Sequence, residues 1–332
     1  MRHNANSHNA ISHNAKMRLL PALVLLLTLC SCGDAVPERQ TGQIRQNEST
    51  GQGHEQAQPE NFEAYQAPAF AEAVFHADLA EGNERAKIDL SQVSQGYVGV
   101  SARSEQRVKL QVTKDDEAPY NYDIPSDGTP VIIPLSGGDG TYSFFVGEHV
   151  KEKSYAPLHV TECEVKLQDE FQPFLRPSMY VNYSQDSECV RKAAELAENA
   201  ENALDVVNAV FEYICDHVTY DKEKAATVQT GYLPDLDETL ATGKGICFDY
   251  AALAAGMLRS QGIPTKMVFG YVSPDDIYHA WNMFYTEETG WVAVNYEVKA
   301  GDWYRLDTTF SANGADNTFI GDGSNYADVY YY

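Results

Sequence analysis

A cysteine follows a glycine-rich turn in the stretch GKGICFDYAALAAGMLRSQG, residues 243–262. Gly243 and Gly245 permit a tight turn of the backbone, and the apolar residues after Cys247 predict a helix that ends at Gly262. Cys247 would lie at the N-terminus of this helix, where unpaired N–H groups and the helix dipole favour the nucleophilic thiolate. The same N–H groups could bind the oxyanion formed on an attacked carbonyl. A buried core cysteine fits this segment alone equally well.

Two later segments carry groups that could assist a thiol. His279, in YHAWNMFY, lies near the start of an alternating strand, and its imidazole could accept the thiol proton and return it to a leaving amine. A lone histidine on a strand is, however, usually structural. Asp307, in WYRLDTTF, ends a strand that is otherwise built to be buried, so its carboxylate needs a partner. That partner is either the backbone of Thr308 and Thr309 in a turn or the imidazole, whose tautomer it would fix.

The elements around these residues predict an α+β fold. Residues 86–183 hold short runs rich in β-branched and aromatic residues, separated by turn signals at spacings near ten residues, which is typical of a small antiparallel β-sandwich. Apolar residues at steps of three and four within 187–218 predict an amphipathic helix. Residues 219–245 indicate a loop and a short turn. After Gly245 a helix precedes four strands, and helices followed by antiparallel strands predict an α+β domain. The strands are TKMVFGYV, HAWNMFYT, GWVAVNYE and WYRLDTTF.

These segments, in this order, resemble the transglutaminase-like superfamily of papain-type cysteine protease fold. GKGICFDYAALAAGMLRSQGIPTKMVFGYV, YHAWNMFY and WYRLDTTF match its Cys, His and Asp motifs over about residues 220–310. The resemblance implies a Cys-His-Asp triad, with Cys247 as nucleophile, His279 as base and acid, and Asp307 as the orienting residue. It also implies a helix bearing the cysteine packed on an antiparallel sheet, and a side-chain donor upstream of the nucleophile. That donor is Tyr220, Gln229 or Tyr232.

Other polar residues near these motifs have simpler interpretations. Asp249 could polarise the site, but an acid in the first turn of a helix ordinarily complements the dipole. Trp281 could line an acyl pocket or belong to the core. Asp235 and Asp237 lack the spacing and glycine of a calcium loop. We therefore expect no metal and no cofactor.

The N-terminal segment predicts export. Residues 19–29 form an apolar run after Lys16 and Arg18, too short to span a bilayer and typical of a secretion signal. The following LCSCG resembles a bacterial lipobox, which implies cleavage before Cys32 and a lipid on its thiol. The alternative is a plain secretory peptide that is cut nearby. Lipidation would anchor the protein to the outer face of the bacterial cell membrane.

The predicted organisation has four parts. They are a signal peptide at 1–31, a disordered tether at 32–61, a β-sandwich-like module at 62–183 and a transglutaminase-like domain at 184–332. The tether contains almost no apolar residue whose burial could offset its ordering entropy. Met17 is a more ordinary start, and a spurious extension explains the histidine-rich residues 1–16 better than a metal site does.

Charge argues against a nucleic-acid partner. The chain has 24 basic and 48 acidic residues and a net charge of −24. Loss of 1–31, which holds Arg2, Lys16, Arg18 and no acid, leaves 21 basic residues and a net charge of −27. Phosphate backbones would be repelled by such a field. A cationic substrate would be attracted, although acidity also serves solubility.

The first functional hypothesis is a surface-anchored thiol acyl-transfer enzyme that hydrolyses a peptide or amide bond through a thioester. Its expected partners are a peptide or protein substrate, with a cell-wall peptide as one candidate, and the membrane through Cys32. The alternatives are a protein-crosslinking transglutaminase and a non-enzymatic cell-surface binding protein. A disulfide oxidoreductase would need a resolving cysteine near Cys247, and none is present.

Overall fold

Two antiparallel sheets form the first part of the computed structural model, which describes residues 64–273, 277–286, 303–306, 309 and 326–332. One sheet has the strand order β1-β2-β3-β6 and the other β5-β4-β7-β8. Buried residues of both sheets belong to one hydrophobic cluster, which confirms a small antiparallel sandwich before the core. The strands are β1 Glu81–Gly82, β2 Ala86–Asp89, β3 Tyr97–Ala102, β4 Val108–Lys114, β5 Tyr120–Ile124, β6 Val131–Pro134, β7 Gly140–Lys151 and β8 Ser154–Val165.

The alternation of β4 explains how this sandwich forms. Val108, Leu110 and Val112 are buried, whereas Lys109 and Gln111 are not, as a strand with one wet face requires. Strand β5 was not predicted, because the charged stretch KDDEAPYN indicates a turn. Its aromatic residues nevertheless alternate with polar ones, and β5 pairs along β4 from Tyr120 to Ile124.

Helices dominate the region after residue 187. The elements are α1 Glu188–Ala197, α2 Ala203–His217, β9 Thr219–Tyr220, α3 Lys222–Thr227, α4 Leu236–Thr242, β10 Lys244–Gly245 and α5 Cys247–Ser260. The helix predicted within 187–218 is divided, because Asn202 caps α2 by accepting a hydrogen bond from Asp205 N at 3.0 Å. The loop predicted at 219–245 contains α3 and α4, which are too short to show a helical period. Each begins at an aspartate cap, Asp221 or Asp235.

A third antiparallel sheet packs against α5 and completes the α+β fold. Its strands β11 Thr265–Val272, β12 Ile277–Tyr285, β13 Trp303–Leu306 and β14 Tyr326–Tyr331 have the order β13-β12-β11-β14. The predicted strand TKMVFGYV coincides with β11, whereas β14 was not predicted. The predicted strand GWVAVNYE lies outside the described residues.

An aromatic layer joins the sandwich to the sheet around α5. Tyr122 of β5 stacks on Tyr180 with ring centroids 5.6 Å apart, and Tyr180 meets Phe248 of α5 edge-on at 5.5 Å. Phe248 in turn meets Phe269 of β11 at 5.0 Å. Buried residues of the sandwich and of α5 therefore share a single hydrophobic cluster. The domain boundary at 183/184 stays a prediction.

The four cysteines among the described residues, Cys163, Cys189, Cys215 and Cys247, form no disulfide with one another. Cys163 lies in β8, and Cys215 is half-buried on α2. Within the described ranges, no helix combines the length and the apolar character that crossing a membrane requires.

The C-terminal end of α5 is fixed by the buried guanidinium of Arg259. Its Nε donates to Thr265 O at 2.8 Å, Nη1 to Arg176 O at 3.0 Å and Nη2 to Tyr332 O at 2.7 Å. Burial lowers the pKa of Arg259 to about 10. Helix α5, strand β11 and the residue after β14 are thus held by one side chain.

Arg259→Met should lower the free energy of unfolding by about 3 kcal/mol, because buried carbonyls lose their donor. The matched control is Arg191→Met, which removes an exposed arginine of α1 and should change stability by about 0.5 kcal/mol or less. Urea unfolding followed by circular dichroism measures both. Equal losses in the two variants would show that the buried network does not hold α5.

Candidate active site

Cys247 is the first residue of α5, as the sequence predicts. The preceding residue, Ile246, is extended with φ −97° and ψ 175°. Cys247 and Phe248 are half-buried, whereas every residue from Asp249 to Ser260 is buried. The thiol is therefore at the only part of α5 that reaches the surface of the core, at the end where the dipole favours an anion.

The turn before Cys247 is held by backbone pairing. Strand β10 runs parallel to β9, with Lys244 opposite Thr219 and Gly245 opposite Tyr220. Thr219 N donates to Gly243 O and Asp221 N to Gly245 O, both at 2.9 Å. Gly243 ends α4 in the left-handed region at φ 60°. A Cβ at this position would lie 2.7 Å from His217 O, so both the conformation and the space require glycine.

A buried ionic cluster lies in the first turn of α5. The carboxylate of Asp249 is fully buried, and its Oδ2 accepts from Ile246 N and Lys224 Nζ, both at 2.8 Å. Its Oδ1 accepts from Tyr232 OH at 2.5 Å. The ammonium of Lys224 also lies 4.5 Å from the ring centroid of Tyr232. Asp249 therefore does more than complement the dipole, because it ties α3 and the segment before α4 to the turn that carries Cys247.

Burial and charge perturb the partners of this carboxylate. Burial, reinforced by the hydrogen bond to Asp249, raises the pKa of Tyr232 to about 12. Burial opposes the charged form of Lys224, but its hydrogen bonds to Asp249 and Tyr232 outweigh this effect and raise the pKa of Lys224. Lys224 was not predicted from the sequence, because no local spacing links α3 to α5.

His279 lies in β12, opposite Gly270 of β11. It is buried, and its ring stacks on that of Trp281 with centroids 6.1 Å apart. The next residues of the strand alternate, so Asn282 points to α5, where its Nδ2 donates to Ala251 O at 2.9 Å. His279 and Trp281 therefore occupy the face of β12 that is turned away from α5.

Cys247 nevertheless lies at the same end of the sheet as His279. Burial is the main cause that raises the pKa of Tyr278, the residue before His279, and the charges of Tyr330, Tyr271 and Cys247 add to this effect. The start of β12 is thus within electrostatic range of the thiol. Strand β13 pairs with β12 up to Leu306, opposite Asn282. Asp307 follows Leu306 in the chain and lies outside the described residues, as does Cys32.

The three upstream donors differ in what they contact. The Tyr232 hydroxyl is committed to Asp249. Gln229 is exposed and its Nε2 donates to Thr227 O at 2.6 Å. Tyr220 is half-buried, and burial first, then the charges of Cys247 and Asp249, raise its pKa. Of these three residues, Tyr220 is the one whose pKa is affected by the charge of Cys247 and whose hydroxyl does not donate to Asp249.

Comparison with known proteins supports the fold of this region. Residues 190–296 match the family model for the core of the Transglutaminase-like superfamily. The chain is 29% identical over 135 residues to the kyphoscoliosis peptidase of Mus musculus, which covers 38% of this chain and 18% of that peptidase. It is 30% identical over 118 residues to the uncharacterized protein YebA of Bacillus subtilis, covering 30% of this chain and 16% of YebA. The chain thus spans less than a fifth of these relatives.

Two solved structures align with this chain at low sequence identity and low TM-score. Red sea bream transglutaminase aligns over 70% of this chain and 50% of its own, at 14% identity and a TM-score of 0.29. LapG of Legionella pneumophila aligns over 42% of this chain and 74% of its own, at 15% identity and a TM-score of 0.28.

Two glycine substitutions test the geometry of the turn before Cys247. Gly243→Ala and Gly231→Ala both place a side chain at positive φ, 60° and 86°, which costs about 1–2 kcal/mol. Only at Gly243 does the new Cβ also meet a backbone oxygen, because nothing lies within 4 Å at Gly231. Gly243→Ala should therefore lose about 1 kcal/mol more in urea unfolding. An equal loss in both variants would contradict the tight approach to His217.

Proposed function

We propose that this chain, which carries a transglutaminase-like core at residues 190–296, is a thiol acyl-transfer enzyme that hydrolyses a peptide or amide bond. The observation that carries the proposal is the half-buried Cys247 at the first turn of the otherwise buried α5, beside the start of β12. A cysteine whose role was packing would gain more from a position further along the helix, where burial is complete.

The proposed reaction begins with proton transfer from the Cys247 thiol to the imidazole of His279. The sulfur attacks the amide carbonyl carbon, and the electron pair of the C=O π bond moves to the oxygen, which gives a tetrahedral oxyanion. Unpaired N–H groups of the first turn of α5 and the hydroxyl of Tyr220 stabilise this oxyanion. His279 then gives its proton to the nitrogen, the C–N bond breaks, and a thioester on Cys247 remains.

Water completes the cycle. His279 takes a proton from the water, whose oxygen attacks the thioester carbon. The C–S bond then breaks, the carboxylic acid leaves, and the proton returns to the sulfur. In this scheme Asp307 holds the imidazole in one tautomer. An amine in place of water would give the crosslinking reaction, which needs the same groups up to the thioester. One curated relative carries the name of a peptidase, which favours water as the acceptor.

The geometry sets one requirement on this mechanism. Because His279 and Trp281 occupy the face of β12 away from α5, the imidazole and the sulfur must meet around the start of the strand. The half-buried sulfur and the half-exposed Tyr278 lie at that end. The substrate would therefore approach along the end of the sheet, next to Tyr278.

The proposal includes export and attachment of the protein to the membrane by a lipid on Cys32. This part of the proposal is supported by the apolar run 19–29 and by the lipobox-like LCSCG. Both segments lie outside the described residues. A peptide or protein substrate outside the cell, including a cell-wall peptide, fits this location. The net charge of −24 disfavours nucleic acid as a partner.

Turnover of a peptide library tests the reaction. Cys247→Ala should lower hydrolysis by at least about a thousand-fold, because it removes the nucleophile, whereas Cys215→Ala should retain it. In heavy-oxygen water the new carboxylate should gain one labelled oxygen, measured by mass spectrometry. If an added amine gives amide products and no labelled acid forms, the reaction is crosslinking and not hydrolysis. Equal rates in wild type and Cys247→Ala would exclude both.

Alkylation tests the role of His279 without a known substrate. At neutral pH iodoacetamide should modify Cys247 faster than Cys163, because burial and then the charges of Glu81 and Glu164 raise the pKa of Cys163. His279→Asn should slow Cys247 about ten-fold and leave Cys163 unchanged. Peptide-resolved mass spectrometry gives both rates in one sample. If His279→Asn leaves the Cys247 rate unchanged, the imidazole does not serve the thiol.

A further inference from the structure

A buried acidic side chain, Asp249, lies in the same helical turn as the proposed nucleophile. Asp249 follows Cys247 by two residues, and none of its side chain is exposed to solvent. A carboxylate in the same helical turn disfavours the thiolate, because two like charges would then lie in one poorly solvated region. The first turn of α5 therefore combines a dipole that favours the anionic sulfur with a carboxylate that opposes it.

One cation offsets this carboxylate. Two of the three donors to Asp249, Ile246 N and Tyr232 OH, are neutral. The third is the ammonium of Lys224, 2.8 Å from Oδ2. Lys224 is 27% exposed and could extend into water, yet it lies over the ring of Tyr232 and against the buried oxygen. Its position is thus set by the cluster rather than by solvation.

We propose that Lys224 is a charge-balancing and positioning residue that neutralises Asp249 and so allows the thiolate of Cys247 to form at neutral pH. This inference rests on the proposed function, since it assumes that Cys247 is the nucleophile. Asp249 fixes the turn through its hydrogen bonds with Ile246 N and Tyr232. Lys224 offsets the negative charge of Asp249, which would otherwise disfavour the thiolate of Cys247. A merely structural ion pair would contribute to stability but would not control the reactivity of the sulfur.

The size of the effect follows from Coulomb's law. Unit charges about 10 Å apart, at an effective dielectric constant of about 20, interact by about 1.7 kcal/mol, which corresponds to on the order of one pH unit. Loss of Lys224 alone should shift the reactivity of Cys247 to higher pH by this amount. Loss of the Asp249 charge alone should shift it to lower pH, because Lys224 then acts on the sulfur without compensation.

The other titratable residues around this turn are the same in every variant, so they do not cause a difference in the alkylation midpoint between variants. Burial keeps the pKa values of Tyr220 and Tyr278 above their usual range, and these two residues stay neutral near pH 7. In the proposed mechanism His279 takes the proton of the thiol, so the measured midpoint would belong to the pair. Among the described residues, the titratable groups of the elements around the turn include His217 of α2, Tyr220 of β9, Asp221, Tyr232, Lys244 of β10, Tyr271 of β11, and Tyr278 and His279 of β12.

The test is the pH dependence of Cys247 alkylation in the full chain. Iodoacetamide is the probe, and the tryptic peptide 245–259, which contains Cys247 as its sole cysteine, reports the rate. The variants are Lys224→Met, Asp249→Asn and the double variant. Asn is close to Asp in shape and retains an oxygen that accepts from Ile246 N. The matched control is Lys222→Met, which removes an exposed lysine from the same helix.

We expect the midpoint to rise by about one pH unit in Lys224→Met, to fall in Asp249→Asn, and to return close to wild type in the double variant. Lys222→Met should match wild type. Opposite signs for the two single variants support charge balance. Shifts of the same sign, or none beyond the control, would overturn it.

Two outcomes keep the test decisive. If circular dichroism shows that Lys224→Met does not fold, Asp249→Asn decides alone: a lower midpoint supports the inference and an unchanged midpoint refutes it. If Cys247 in the wild type reacts no faster than Cys163 at any pH, the proposed function fails. A reactive wild-type Cys247 with unshifted variants removes only the role of Lys224.

Discussion

The position of Cys247 depends on one constraint, which is that helix α5 is buried everywhere except at its first two residues. From Asp249 to Ser260 every residue of α5 is enclosed by other elements, so packing decides the position of its axis. Apolar packing alone permits small rotations and shifts, whereas buried polar groups do not, because each displaced hydrogen bond leaves an unsatisfied group. Asp249 at one end and Arg259 at the other supply such groups. Together they determine where Cys247 lies.

This constraint gives the N-terminal sandwich a structural purpose. The aromatic layer that passes through Tyr180 and Phe248 brings the sandwich directly against the first turn of α5. Phe248 is the residue after Cys247, so the position of the thiol is supported from the sandwich side as well as from the sheet side. The sandwich is therefore part of what holds the site. A flexible spacer would not share a hydrophobic cluster with α5.

The sequence predicted the helices and strands whose positions depend on the spacing of nearby apolar residues and glycines. Helix α5 and strand β11 follow from apolar periodicity and from the glycine that separates them. The role of Lys224 did not follow, because an ion pair between α3 and α5 leaves no period in the sequence. Strand β5 was missed because the charged stretch KDDEAPYN indicates a turn, and β14 was missed because YADVYY does not alternate between apolar and polar residues. Cys247 and His279 were predicted by resemblance to a family, and their joint role stays a prediction together with that of Asp307.

The arrangement of β12 bears on what kind of substrate could be used. Small Ala280 and polar Asn282 face α5, which allows the helix to approach the sheet closely. The space between helix and sheet is thereby filled, and no substrate could enter there. Any reaction at Cys247 must take place beyond the start of β12, where Tyr278 is 53% exposed. For the proposed reaction, a substrate would therefore have to reach Cys247 past the exposed Tyr278, and an extended peptide chain that lies over this residue would fit such an approach better than a group inserted between helix and sheet.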